Sequence, residues 1–173
     1  MENREDLDRR RFVQVAAASV AAAGAVGCSN AGAAYRVLTD HEAATIRALA
    51  NQIVPPDDYP GAGDAGADRF IDTQLTGHYA RWREAYRKGI AEIDAAARDK
   101  RGALFVELDF AGQHALLAER EDTEFFRLIR DHSMQSFYGD PRHGGNPDAI
   151  SWRMLGVPNP PVRGREQYDL RKL

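Results

Sequence analysis

Histidine and aspartate are the residue types in this sequence that could perform acid–base catalysis or bind a metal. The five histidines stand at positions 41, 78, 114, 132 and 143. No two of them are four residues apart and no HExxH motif occurs, so their spacing does not indicate a zinc site on a helix. His132 and Asp140 are the best candidates for an acid and a base, and they define one hypothesis, a stand-alone helical enzyme.

The same region also has a structural interpretation, which we favour. His132 follows several aromatic residues, and we expect a buried ring that bonds to the irregular loop after it. Asp140 precedes Pro141, where an aspartate typically accepts backbone N–H groups two residues on and stabilises a turn. Gly144-Gly145-Asn146 lacks a preceding strand, GxGxxG spacing and a Walker lysine, so it does not indicate a phosphate loop.

Length, charge and cysteine count exclude several function classes. The chain has 173 residues, enough for one ordinary domain, and a net charge of −3 with a pI near 6.0. This charge argues against a nucleic-acid binder that relies on general basicity. A single cysteine, Cys28, excludes an internal disulfide, a four-cysteine zinc site and an iron–sulfur cluster held by this chain alone.

The first 34 residues are typical of an export signal. Arg9, Arg10 and Phe12 match the twin-arginine pattern, and the uncharged, alanine-rich segment 13–26 follows them. That segment is too short to span a membrane but suits the apolar part of a signal peptide. We therefore predict a periplasmic protein that the twin-arginine machinery exports. This route carries folded proteins that often hold a cofactor, and the chain has no recognisable cofactor motif. Either the chain folds fast, or it travels bound to a partner that holds a cofactor.

Two cleavage sites compete within this leader. Ala31-Gly32-Ala33 is an A-x-A site for a conventional signal peptidase. The sequence 25–28, Ala-Val-Gly-Cys, resembles a lipobox, in which Cys28 would be lipidated, become the new N-terminus and anchor the protein to a membrane.

The rest of the chain predicts one all-α domain over 35–156, followed by an extended tail over 157–173. Thr39 and Glu42 have capping-box spacing, and apolar residues then recur at helical intervals up to Pro55-Pro56. Four further helices are predicted from about residue 67, over about 79–100, over about 109–120 and over about 122–137. Phe110 is expected to face inward. An irregular loop rich in glycine and proline follows the fifth helix.

The segment 132–158 is the most distinctive part of the sequence. It contains His132, then Ser136-Phe-Tyr-Gly-Asp-Pro141, then Gly144-Gly-Asn146, then Trp152 and Leu155-Gly-Val-Pro158. These motifs resemble the gluconate 2-dehydrogenase subunit 3 family, the small subunits of membrane-associated flavin sugar dehydrogenases. Ser133, Gln135 and His143 depart from the usual family pattern, so the sugar substrate of the partner stays open.

The resemblance implies a non-catalytic subunit. In that family the large subunit holds FAD and oxidises a sugar or sugar acid, electrons commonly leave through a cytochrome c subunit, and the small subunit carries the export signal and assists folding and export. We therefore expect no catalytic, cofactor or metal residues in this chain, and no nucleic-acid partner. A lipid-anchored binding module without a redox partner is a further alternative. The expected partner-binding residues are Phe137, Tyr138, Asp140, Pro141, Gly144, Gly145, Asn146 and Trp152, together with the tail.

Overall fold

Six α-helices form the domain in the computed structural model, which describes residues 35–157. In chain order they are α1 Asp40–Ile53, α2 Ala67–Leu75, α3 Arg83–Arg101, α4 Phe110–Ala118, α5 Glu124–Tyr138 and α6 Ile150–Met154. No β-strand occurs among the described residues, and the predicted all-α fold class is confirmed. The predicted export residues Arg9, Arg10 and Phe12, the lipidation residue Cys28 and the tail beyond Val157 lie outside the described residues.

Short-range capping fixes where three of the helices begin. The predicted capping box of α1 is present, since the Thr39 hydroxyl accepts the Glu42 N–H at 3.2 Å and the Glu42 carboxylate accepts the Thr39 N–H at 2.7 Å. Asp109 caps α4 and Thr123 caps α5 in the same way, each accepting an N–H three residues on. Such caps satisfy N–H groups that the first turn of a helix leaves without a partner.

The third predicted helix differs from the structure at its start. The segment 80–82 forms a 3₁₀ turn, and α3 begins only at Arg83. The Arg83 side chain donates to the Leu75 carbonyl at 2.8 Å and so ties the start of α3 to the end of α2. Short 3₁₀ turns of this kind are frequent at the start of α-helices and as connectors between them.

The main core lies between α1, α2, α3 and α5. Its fully or almost fully buried members include Ile46, Leu49, Ile71, Leu75, Ile90, Ile93 and Ile129. Gly89 lets α3 and α5 approach closely, because a Cβ atom at this position would lie 2.1 Å from the Phe125 ring. Phe110, which we expected to face inward, is 49% exposed, and this prediction is wrong. It is the first residue of α4 and lies beside the cap, whereas Leu116 and Leu117 are buried.

The loop before α2 folds inward and supports the end of α5. The Asn51 side chain accepts the backbone N–H groups of Gly63 and Asp64, which holds the loop against α1. The buried alanines of this loop, Ala62 and Ala65, join Ala50, Ala67 and Phe137 in a second apolar cluster. This segment therefore forms part of the core, although its composition predicts only turns.

Two buried carboxylates on α2 hold residues 35–38, the N-terminal strap. Asp72 accepts the backbone N–H groups of three consecutive residues, Arg36, Val37 and Leu38, at 2.8–3.0 Å. One turn earlier, Asp68 accepts the Tyr35 hydroxyl at 2.5 Å and pairs with Arg47 at 3.2 Å. The strap is thereby fixed along α2 by charge-assisted hydrogen bonds.

Candidate partner-binding site

The last turn of α5 directs one aromatic ring inward and leaves its neighbour half-buried. Phe137 is 1% exposed and packs into the alanine-rich second cluster. Tyr138 is half-buried, and its ring meets the Phe137 ring edge to face at 4.9 Å. Small side chains opposite Phe137 leave the space that its ring fills, so this residue anchors the end of α5 to the loop before α2.

Gly145 and Asn146 lock the loop that follows α5, and we call them the latch. A Cβ atom at position 145 would lie 2.3 Å from the Ser136 carbonyl oxygen, so only glycine allows this approach to α5. The Asn146 side chain donates to the Gly139 carbonyl at 2.9 Å and accepts the Ser151 N–H at 3.0 Å. The latch therefore joins the end of α5 to the start of α6.

Asp140 stabilises the first turn of this loop. Its carboxylate accepts the Arg142 backbone N–H at 2.9 Å and two guanidinium N–H groups of the same residue. Hydrogen bonds from the Arg142 side chain, followed by the one from its backbone, lower the pKa of Asp140 to about 2. Asp140 is therefore a carboxylate at neutral pH, and the structural interpretation of this residue is confirmed.

His132 lies inside the helical core rather than against the loop. Its Nδ1 shares a hydrogen bond with the Tyr86 hydroxyl of α3 at 2.8 Å, and its ring stacks on Tyr79 with 3.8 Å between centroids. Burial lowers the pKa of His132 to about 4, so the ring is neutral near pH 7. The expected bond to the loop is wrong, although the expected burial is confirmed.

His132 and Asp140 have separate hydrogen-bond partners. The histidine bonds to Tyr86 within the core, whereas the aspartate bonds to Arg142 at the surface. A general acid and a general base must both reach one substrate. A shared substrate would therefore have to reach both the buried His132 ring and the Asp140–Arg142 pair of the loop.

The short helix α6 and the three residues after it carry the exposed apolar surface of this region. Trp152 is half-buried and donates from its indole N–H to the Tyr138 carbonyl at 3.1 Å. Leu155 is 58% exposed and Val157 is 44% exposed. The Val157 N–H donates to the Trp152 carbonyl at 2.8 Å, so the chain is still ordered where it leaves α6. Tyr138, Trp152, Leu155 and Val157 together form what we call the α6 surface.

Between Tyr35 and Val157, no group of three or more histidine, cysteine, aspartate or glutamate residues is placed to hold a metal ion. Within the same range, each helix is too short or too polar to cross a lipid bilayer.

Comparison with known protein families shows to which family the chain belongs. Residues 40–158 match the family described as Gluconate 2-dehydrogenase subunit 3. The chain belongs to the gluconate 2-dehydrogenase subunit 3 family. No curated protein and no solved structure matches it. The family makes this chain an accessory subunit of a dehydrogenase complex, and its description implies association with other dehydrogenase subunits.

The family match ends at residue 158 and so covers both the latch and the α6 surface. Within this gluconate 2-dehydrogenase subunit 3 domain, the predicted partner-binding residues fall into two groups. Phe137, Gly145 and Asn146 are buried, which corrects their assignment as partner contacts, because they shape the loop from inside. The others are half-buried or exposed, namely Tyr138, Asp140, Pro141, Gly144 and Trp152.

Sequence reasoning missed the helix α6 and the buried carboxylates of α2. Five residues between two glycine-containing segments give too weak a helical pattern to recognise. The burial of Asp68 and Asp72 could have been inferred from the sequence, since positions 68 and 72 share one helix face with the buried Leu75. An acidic residue on an apolar face indicates a buried carboxylate that must have hydrogen-bond donors.

Proposed function

We propose that this chain is the non-catalytic small subunit of a periplasmic, FAD-dependent sugar or sugar-acid dehydrogenase of the glucose-methanol-choline type. In this proposal the chain carries the twin-arginine signal for the complex and assists folding, export and stability of the flavin subunit. FAD is held by that large subunit, and electrons leave through a cytochrome c subunit where the complex contains one.

The family match carries this proposal. Two features of the chain support it. The leader is typical of twin-arginine export, and the α6 surface leaves Leu155 and Val157 exposed at the end of the domain. Apolar side chains gathered at one end of a small domain are typical of a protein–protein contact.

Co-expression with a glucose-methanol-choline-type flavin dehydrogenase from the same genome tests the association. We expect affinity purification of the small subunit to recover the large one, with the absorption spectrum of bound flavin. Replacement of Arg9 and Arg10 by lysine should leave both proteins in the cytoplasm, because the twin arginines are the export address. Lysine at Arg4, which lies in the leader outside the motif, is the matched control. Normal export of an active large subunit without this chain would contradict the proposal.

We also propose that Cys28 is lipidated and becomes the N-terminus when the leader is cut before it. The only cysteine of the chain lies where a lipobox requires it. Intact-mass spectrometry of the mature protein tests this, since an acylated Cys28 and an unmodified Ala34 give N-termini of very different mass. A Cys28→Ser variant should be released from the membrane if the proposal holds. An N-terminus at Ala34 in the native protein would contradict it.

The contact itself is proposed to centre on the α6 surface. Truncation of Trp152 to alanine should weaken association by about 2 kcal/mol if its indole is a hot spot. Tyr138→Ala and a chain ending at Gly156 should also weaken it, each checked by circular dichroism for retained helicity. Trp82→Ala is the control, since Trp82 is also half-buried but lies at the start of α3. Unchanged association of all three folded variants would place the contact on the helices.

A further inference from the structure

Three non-glycine residues between positions 146 and 149 have a left-handed backbone. The φ angles are 46° for Asn146, 53° for Asp148 and 53° for Ala149, and no other non-glycine residue from 35 to 157 has a positive φ. We call residues 146–149 the docking corner. Glycine adopts this conformation freely and asparagine tolerates it, but alanine has no polar side chain with which to compensate.

The surrounding structure holds the docking corner in this conformation. Asn146 is fixed by the two side-chain hydrogen bonds of the latch. The Ala149 N–H donates to the Asn146 carbonyl at 3.0 Å, and the Asp148 carbonyl accepts a hydrogen bond from the Arg153 guanidinium. These hydrogen bonds are all made by the backbone of the corner or by the buried Asn146 side chain.

The side chains of Asp148 and Ala149, unlike that of Asn146, are at least partly open to solvent. Asp148 is exposed and Ala149 is half-buried, and both directly precede α6. Strained residues that the surrounding structure keeps in place are concentrated at binding and switching sites. A glycine at position 149 would give the same backbone without strain. The half-buried Ala149 instead keeps a methyl group at this position, part of which is open to a partner.

We propose that the docking corner is a preorganised contact for the flavin subunit, extending the α6 surface. Asp148 meets a basic side chain of that subunit, while Ala149, Leu155 and Val157 meet an apolar area beside it. This inference rests on the proposed function, and it names the residues and the chemistry of the same interface. The strain is maintained in the isolated chain, so little ordering is left to occur on binding.

A competition experiment separates strain from contact. Differently tagged wild-type and variant chains are co-expressed with a limiting amount of the flavin subunit, and their ratio in the complex is measured. Ala149→Gly should raise the melting temperature of the isolated chain by about 2 °C or more, because it removes left-handed strain. In the complex, the Ala149→Gly chain should be about fivefold less abundant than the wild-type chain, since the methyl contact and the rigidity are lost.

Asp148→Asn tests the charged contact, because asparagine also tolerates the left-handed backbone. This variant should likewise be about fivefold less abundant in the complex than the wild-type chain.

Ala91→Gly is the matched control, because it deletes the same methyl group from an exposed, right-handed position of α3. It should lower the melting temperature and leave recovery unchanged. Equal recovery of wild-type and Ala149→Gly chains would overturn the inference, as would a lower melting temperature of Ala149→Gly. Equal recovery of Asp148→Asn would overturn the basic contact. Failure of the wild type itself to bind the flavin subunit would instead overturn the proposed function.

Discussion

The imidazole ring of His132 lies face to face with the phenol ring of Tyr79, with 3.8 Å between centroids and 5° between planes. Its Nδ1 shares a hydrogen bond with the Tyr86 hydroxyl, and Tyr79 bonds to Gln135 on the same helix as His132. One histidine thus links α3, α5 and the turn between α2 and α3. A neutral ring suits this place, since a charged one would lose its hydration there.

This arrangement predicts that stability falls in mild acid. Burial lowers the pKa of His132 to about 4, from 6.5 in the unfolded chain, so the unfolded chain binds the proton more readily. The stability is therefore fully present above about pH 6.5 and is lost as the pH falls toward about 4, by at most about 3 kcal/mol. Urea unfolding at several pH values measures this loss.

His132→Asn should flatten that pH dependence, because an amide does not titrate, and it should lower stability near neutral pH. His114→Gln, at an exposed position of α4, should leave the pH dependence unchanged. An unaltered acid slope in His132→Asn would show that other groups cause it.

Gly89→Ala tests the contact between α3 and α5. The added methyl group would lie 2.1 Å from the Phe125 ring, so the helices must separate or the ring must move. We expect a loss of about 1–3 kcal/mol in the free energy of unfolding, which exceeds the gain in helix propensity. Adding Phe125→Leu should recover part of the loss. Gly77→Ala, where a Cβ atom meets nothing within 4 Å, should be nearly neutral.

Asn146 should be essential to the loop between α5 and α6. Asn146→Ala removes both latch hydrogen bonds and forces alanine to a φ of 46°, so we expect a loss of about 3 kcal/mol. Asn146→Gly also removes the hydrogen bonds but fits the backbone, and it should be about 1 kcal/mol more stable than the alanine variant. Thermal unfolding ranks the two, and limited proteolysis should cut both variants first between residues 139 and 150. Equal stability of the two variants would show that the left-handed backbone costs nothing.

Asp72 should control the order of the N-terminal strap. Asp72→Asn removes the negative charge that three backbone N–H groups share, which should cost about 1–3 kcal/mol. Hydrogen exchange should then accelerate at Arg36, Val37 and Leu38 while the amides of α5 stay protected. Asp58→Asn, an exposed aspartate in the loop before α2, should change neither quantity. Unchanged exchange at the three strap amides would exclude Asp72 as their anchor.

Helical spacing and caps were readable from the sequence because they involve residues three or four positions apart. The Thr39–Glu42 capping box is one such case, and α1 starts where that pair predicts. Apolar residues at helical intervals in α3 and α5 likewise lie inside, among them Ile90, Ile93 and Ile129. The motif at 132–158 was enough to indicate the family, which the match over 40–158 confirms.

The tertiary structure alone decided which polar residues are buried and which predicted contacts are internal. Asp68 and Asp72 bond to residues 33–36 positions away, and His132 bonds to Tyr86 across 46 positions. Asn146 turns inward because the end of α5 and the start of α6 offer it a carbonyl and an N–H. The helical spacing of apolar residues in a sequence indicates only that one face of the helix is apolar. The partners of a buried polar group come from distant parts of the chain, and only folding brings them within hydrogen-bond distance.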